Sequence, residues 1–174
     1  MVYRKILTMI PVTDSKISFA YFINRMSFWM ATGSGKTLII VKLIEFLGKL
    51  IAKKELPSGG ILFLAHRDDL LEQFKNHIEE FNSFNFNTKI NLKNLRDYKN
   101  VKRENALPFS KNEITVFYYR SDLISDEHNK EKIVNFKNYD NGGQWYILLD
   151  EAHKGDKEDS KRQILYSILS RNGF

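Results

Sequence analysis

Cysteine is absent from the chain, and proline and histidine are scarce, at three and four residues respectively. The lack of cysteine excludes disulfide bonds, thiolate zinc sites and thiol catalysis, and it suits a reducing compartment. The four histidines do not have the spacing of metal ligands, so a metal bound through imidazole is not expected. No apolar run approaches the roughly 20 residues that span a bilayer. We therefore expect a cytoplasmic protein without a membrane partner.

The composition is that of an ordinary globular protein with a basic balance. Hydrophobic residues make up 43% of the 174 residues and charged residues 28%, which is enough apolar material for the core of one domain. The formal net charge is +6. That charge suits a polyanionic partner but does not identify one.

Short apolar runs alternate with longer amphipathic ones, which is the pattern of an α/β protein with a parallel sheet. Strands are predicted at residues 27–30, 61–65, 113–119 and 145–149, and helices at residues 36–53, 68–81 and 160–169. The run 61–65 is continuously apolar, as expected for a strand covered on both faces. Residues 82–112 are rich in Asn and Lys and have weak periodicity, so they are interpreted as a loop with at most one helix.

Apolar residues recur at helical spacing in the first two helices, which predicts one buried face on each. These residues are Ile40, Leu43, Ile44, Leu47 and Leu50 in the first helix, and Leu71, Phe74, Ile78 and Phe81 in the second. Pro57 to Gly60 end the first helix, Ser121 caps a short helical turn, and residues 141–143 form a turn. Tyr118 and Tyr119 point to opposite faces of a pleated strand, so at least one is expected in the core.

A glycine-rich segment lies between a predicted strand and a predicted helix, which is the context of a phosphate-binding P-loop. Its glycines let backbone N–H groups turn inward around phosphate oxygens, and the helix N-terminus adds positive potential. The predicted ATP-binding residues are Thr32, Gly33, Ser34, Gly35, Lys36 and Thr37. Lys36 would reach the β- and γ-phosphates, and the Thr37 hydroxyl would bind Mg²⁺. The alternative, a Gly-Ser turn that precedes Lys-Thr by chance, is disfavoured by the flanking elements.

A second acidic element follows the last predicted strand, which ends in Asp150, Glu151, Ala152 and His153. A P-loop requires a carboxylate at the end of a neighbouring strand to hold the water shell of the metal. Asp150 is placed to organise Mg²⁺, and Glu151 to orient and deprotonate the attacking water. Lys36, Asp150 and Glu151 are therefore the predicted catalytic residues.

The two elements together resemble motifs I and II of superfamily 2 helicases of the DEAH-box type. Met30 stands where the strict P-loop pattern has glycine, a position that helicase-like ATPases relax. Residues 63–70, Phe-Leu-Ala-His-Arg-Asp-Asp-Leu, and residues 149–155, Leu-Asp-Glu-Ala-His-Lys-Gly, look most like the helicase subunit of type III restriction enzymes. The resemblance covers residues 26–174.

This resemblance implies a RecA-like α/β P-loop lobe, with a parallel sheet flanked by helices, that uses ATP and Mg²⁺ to move along DNA. It implies contacts to the DNA backbone at Ala65, His66 and Arg67, and again at Arg120 and Ser121. His153 would couple the nucleotide site to the next motif. Arg67 and Arg120 follow strand ends, where ligands of open α/β sheets bind, although solvated surface charge is an alternative for both.

The resemblance also implies how the chain is divided. Residues 1–24 form a segment of unclear role, and residues 25–174 form a first lobe that is truncated before motif III. In this family a second lobe supplies an arginine finger worth about 10³–10⁵ in rate. We therefore expect ATP and DNA binding, with hydrolysis only when another chain supplies the second lobe. The expected partners besides DNA are a chain with the second lobe or a modification subunit. An inactive truncated remnant and a P-loop ATPase outside the helicases remain as alternatives.

Overall fold

A computed structural model describes residues 28, 30–31, 33–103, 109–110, 112–125, 134–139, 141–142 and 144–150 of the chain. The chain separates into two units, Met1–Lys36 and Thr37–Phe174. Every strand in the described part of the chain lies in the second unit. None of the described helices combines the length and the apolar character needed to cross a membrane.

Helices and strands alternate along the described residues. The helices are α1 (Lys36–Ala52), α2 (Asp68–Phe84) and α3 (Tyr98–Arg103). The strands are β1 (Gly60–Ala65), β2 (Lys89–Asn94), β3 (Phe109–Ser110), β4 (Glu113–Arg120), β5 (Ile124–Ser125), β6 (Val134–Asn135) and β7 (Trp145–Leu149). Short 3₁₀ turns follow β2, β4 and β6, at Leu95–Asp97, Ser121–Leu123 and Phe136–Tyr139.

Four of the strands form a parallel sheet in the order β2-β4-β1-β7. The short strand β3 pairs antiparallel with the start of β4, and β5 and β6 form a separate parallel pair. Parallel neighbours require crossover connections, and α1 and α2 are the longest segments packed on the sheet. The predicted α/β architecture with a parallel sheet flanked by helices is therefore confirmed.

Strand β1 is buried on both faces, as its continuous apolar sequence predicts. Ile61, Phe63 and Ala65 pack with α1 and α2, and the Phe63 ring stacks on the Phe74 ring at a centroid distance of 3.8 Å. Leu62 and Leu64 face the opposite layer, which contains α3, the 3₁₀ turns and the ring of Trp145. The sheet is therefore the central layer between two apolar cores.

The buried face of α1 differs from the prediction. Ile44 is buried as expected, but Val41, Gly48 and Ile51 complete the face, whereas Leu43 and Leu50 are half-buried. A Cβ atom at Gly48 would lie 2.6 Å from Cγ1 of Ile114, so the helix backbone itself approaches β4 there. Because glycine has no apolar side chain, the periodicity of apolar residues could not predict that Gly48 lies on the buried face.

One charged side chain also lies on the buried face of α1. Lys42 and Lys49 donate hydrogen bonds to the Glu45 carboxylate at 2.9 and 2.6 Å. Burial alone raises the pKa of Glu45, but the hydrogen bonds and charges of Lys49 and Lys42 outweigh burial, and the pKa is lowered. Glu45 therefore remains ionised within the helix–sheet contact.

The interpretation of residues 82–112 as a loop is wrong for β2, although α3 agrees with the one helix allowed there. β2 pairs with β4 and alternates weakly, with Ile90 buried, Asn91 exposed and the other residues half-buried. Ser121 begins the predicted turn but does not cap it, because Arg120 occupies the cap position. Phe28 and Met30 lie outside any strand, so the described residues do not bear out the strand predicted at 27–30.

The contact at Gly48 predicts the effect of adding one methyl group. Gly48→Ala should destabilise the fold by about 1–2 kcal/mol, because overpacking against Ile114 exceeds the helix-propensity gain of about 1 kcal/mol. In an Ile114→Ala background the same change should be neutral or stabilising, since the contacted Cγ1 and Cδ1 atoms are gone. Urea denaturation of the four proteins measures this cycle. Equal effects of Gly48→Ala in both backgrounds would show that the contact does not require glycine.

Candidate functional site

The predicted phosphate loop turns at two glycines that have left-handed backbone. Gly33 has φ +76° and Gly35 has φ +84°, and Ser34 between them does not share the positive φ. The Ser34 hydroxyl and amide both donate to the Ala31 carbonyl, at 2.6 and 3.3 Å, which closes the turn. Helix α1 begins at the next position, Lys36. A non-glycine residue at either position would be strained by its backbone alone.

The position of these two glycines directly before a helix favours anion binding. Glycines of positive φ let a loop turn its N–H groups inward, and the N-terminus of a helix adds positive potential. α1 has 17 residues and no acidic side chain in its first turn, so no carboxylate competes there. Gly33 and Ser34 are exposed, and Gly35, Lys36 and Thr37 are partly exposed. These residues fit a phosphate group, while Thr32 lies outside the described residues.

The C-terminal edge of the parallel sheet gathers the other predicted site residues of the second unit. Ala65 at the end of β1 is the register partner of Arg120 at the end of β4. The Asp150 amide donates to the Leu64 carbonyl at 3.0 Å, which places Asp150 at the same edge beyond β7. Residues that follow β1, β4 and β7 are therefore neighbours. Glu151 and His153 lie outside the described residues.

Burial divides the predicted DNA-contacting residues into two groups. Ala65 and Ser121 are buried, with exposed fractions of 0% and 3%, so their side chains face the core. His66 is half-buried, and the Arg67 side chain is 52% exposed. A polymer bound at this edge would therefore meet the side chains of His66 and Arg67 before those of Ala65 and Ser121.

Both predicted DNA-contacting arginines are paired with aspartates. Arg67 Nη2 lies 2.8 Å from Asp69 Oδ2. Arg120 donates from Nε and Nη2 to the two carboxylate oxygens of Asp122, at 3.0 and 2.6 Å. Its Nη1 also donates to Asp68 Oδ2 at 2.7 Å. Asp68 and Asp69 lie in the first turn of α2, where acidic side chains also suit the helix dipole. Asp122, two residues after Arg120, was not among the predicted site residues.

The pairing changes the acid–base properties of both partners. Burial opposes ionisation of Asp122, but the hydrogen bonds and charge of Arg120 outweigh burial and lower the pKa of Asp122. Hydrogen bonding to Asp122 is the main cause that raises the pKa of Arg120. Both groups are therefore charged at neutral pH.

The adjacent tyrosines of β4 lie on opposite faces, as predicted. Tyr119 is buried in the core and accepts a hydrogen bond from Nε of Arg96 at 3.0 Å. Tyr118 is partly buried, and the Lys75 ammonium lies 5.0 Å from the centre of its ring. The prediction that at least one tyrosine belongs to the core is confirmed.

The described residues contain no group of three His, Asp or Glu side chains that could hold a metal ion. Magnesium at nucleotide sites is commonly held by one or two protein oxygens together with substrate phosphates and water. A site that uses the Thr37 hydroxyl and the Asp150 carboxylate would be of this kind, with the nucleotide providing further ligands.

The Arg120–Asp122 pair predicts a pH-dependent contribution to stability. Because the pKa of Asp122 is lowered in the fold, its contribution is present above the unfolded pKa of about 3.9 and is lost as the pH falls through the folded value. Asp122→Asn should cost about 1 kcal/mol at pH 7, and the cost should shrink below about pH 4. Urea denaturation across this range measures the cost. The control Asp68→Asn, at a side chain 77% exposed, should cost less. A cost that is independent of pH would contradict the assignment.

The comparisons with known proteins agree with this arrangement at the level of the family. The family model described as the type III restriction enzyme, res subunit, matches residues 15–171, which is most of the chain. Curated proteins and solved structures contain no match to the chain. The matched region includes both the phosphate loop and the edge that carries Arg67, Arg120 and Asp150. The chain belongs to the family of type III restriction enzyme res subunits, and its sheet is that of a RecA-like lobe.

Proposed function

We propose that the chain is the ATP-binding lobe of an ATP-dependent DNA translocase of the restriction type. The observation that carries this proposal is the left-handed pair Gly33 and Gly35 directly before α1, in a chain of the res-subunit family. Such a loop provides converging N–H groups for a polyphosphate. Family membership supports a nucleotide as the ligand of this loop. We propose in addition that DNA is the polymer along which the protein moves.

The predicted catalytic, metal-binding and coupling residues each have a proposed role. Lys36 binds the β- and γ-phosphates, and the Thr37 hydroxyl and the Asp150 carboxylate hold Mg²⁺. Glu151 accepts a proton from the attacking water. His153 couples this site to the next motif. Bound Mg·ATP supplies the free energy of hydrolysis, and the chain supplies binding, orientation and the proton acceptor.

The C-terminal edge of the sheet is the proposed DNA-facing side. Ligands of open α/β sheets bind outside the carboxyl ends of the strands, and His66 and Arg67 are the accessible predicted contacts there. The net charge of +6 favours approach of a polyanion. We further propose that the protein acts in the cytoplasm and hydrolyses ATP with a second lobe from another chain, and that a modification subunit is an alternative partner chain.

Nucleotide binding is tested with a fluorescent ATP analogue and Mg²⁺. Lys36→Ala should weaken binding by about 10–100-fold, because a hydrogen bond to a charged group contributes about 1.5–3 kcal/mol. Gly33→Ala should weaken binding by about 5–30-fold, because left-handed backbone costs a non-glycine residue about 1–2 kcal/mol. The matched control is Lys53→Ala, an exposed lysine just beyond the end of the same helix. Equal binding by the Lys36 and Lys53 variants would refute the phosphate loop.

Hydrolysis is tested by mixing the chain with a separately expressed second lobe of a res subunit. Phosphate release should rise when DNA is added and should return to background with Lys36→Ala or Glu151→Gln. The rise is expected because an arginine finger from the second lobe contributes about 10³–10⁵ in rate. Nucleotide binding without turnover in every mixture would instead identify an inactive remnant.

A further inference from the structure

Arg120 connects two loops that the chain brings to the same edge. Its Nη1 donates to Asp68, the first residue of α2, which follows β1. Its Nε and Nη2 donate to Asp122, which lies in the 3₁₀ turn after β4. All three guanidinium nitrogens are therefore engaged, and the rigid fork of arginine suits this bidentate contact to Asp122.

The charge of this cluster disfavours direct binding of phosphate by Arg120. One guanidinium faces two carboxylates, so Arg120, Asp68 and Asp122 together carry a net negative charge at neutral pH. A phosphate that reached Arg120 would have to displace Asp68 or Asp122 and approach the other carboxylate. The exposed Arg67 side chain, by contrast, faces a single aspartate, Asp69.

We propose that Arg120 is a positioning residue, which holds the N-terminus of α2 and the turn Ser121–Leu123 together as one surface for DNA and does not itself bind phosphate. This inference rests on the proposed DNA-binding function. The surface it holds includes His66 and Arg67, which precede α2. Arg120 is the register partner of Ala65, so its backbone is fixed at the point where both loops begin.

The two possible roles of Arg120 predict opposite effects of Asp122→Asn on DNA affinity. If Arg120 binds phosphate, Asp122→Asn removes a competing negative charge and should tighten DNA binding. If Arg120 positions the loops, Asp122→Asn should weaken binding, by about 3–10-fold, although it removes negative charge. Asp122→Glu, which keeps a carboxylate, should retain more of the binding than Asp122→Asn. The control Asp69→Asn removes a carboxylate in the first turn of α2 that pairs with Arg67 and not with Arg120. This control should tighten DNA binding.

Salt dependence gives a second readout in the same assay, which uses fluorescence anisotropy with a labelled single-stranded oligonucleotide. The slope of log affinity against log salt is about −0.7 per neutralised phosphate for single strands, so removal of one such cation makes the slope less steep by about 0.7. Arg120→Gln should weaken binding by about 3–10-fold with the slope unchanged, whereas Arg67→Gln should make the slope less steep. A less steep slope for Arg120→Gln, or tighter binding by Asp122→Asn, would overturn the positioning role.

Amide hydrogen exchange separates this inference from the proposed function. Arg120→Gln should accelerate exchange in the first turn of α2, where the Leu71 amide donates to the Arg67 carbonyl, and in the turn Ser121–Leu123. Arg67→Gln should not accelerate amide exchange in the turn Ser121–Leu123. Wild-type protein that binds no DNA would refute the DNA function, and the exchange pattern then decides whether Arg120 holds the loops. Unchanged exchange in Arg120→Gln would refute the positioning role.

Discussion

The parallel register of β1 between β4 and β7 is the constraint on which the arrangement of the site residues in the second unit depends. Pairing of Ala65 with Arg120 and of Leu64 with Leu149 brings the ends of three strands to one edge. A slip of one residue would exchange the two faces of β1, both of which are buried, and would also separate Arg120 from Asp68. The apolar burial that fixes the core therefore also fixes the positions of the charged loops.

Glycines determine how closely the layers pack, and their role was hidden in the sequence. Gly60 is the register partner of Trp145, and a Cβ atom there would lie 2.5 Å from Cζ3 of the indole ring. The indole Nε1 donates to the Tyr139 carbonyl at 2.9 Å, so the ring is held in place. Helix α1 ends at Ala52 and the chain turns at Lys54, which has φ +61°, so Pro57 to Gly60 do not end it as predicted. Gly60 instead makes room for the largest core side chain, Trp145. Gly48 performs the same role between α1 and β4.

The elements with continuous apolar sequences were predicted more accurately than those with few buried residues. Strand β7 has the predicted bounds, and β1 is one residue longer than predicted, because both are continuous apolar runs. Strand β2 was missed because only Ile90 of its six residues is buried, so its sequence has no apolar run. The Asn82 side chain of α2 accepts a hydrogen bond from the Ile90 amide and donates one to the Ile90 carbonyl, both at 2.8 Å. Such a side-chain bridge leaves no periodic signal in a segment rich in Asn and Lys.

The site residues were predictable as residue types but not as charge pairs. The family resemblance implied that Arg67 and Arg120 contact DNA, yet each is paired with aspartate at the strand ends. Asp68, Asp69 and Asp122 outnumber the two arginines, although the whole chain carries a charge of +6. The basic charge that attracts a polyanion over long range is therefore not concentrated in these arginine–aspartate pairs. The long-range attraction of a polyanion therefore depends on other basic residues of the chain. The ion pairs at the strand ends are suited to holding the loops in position.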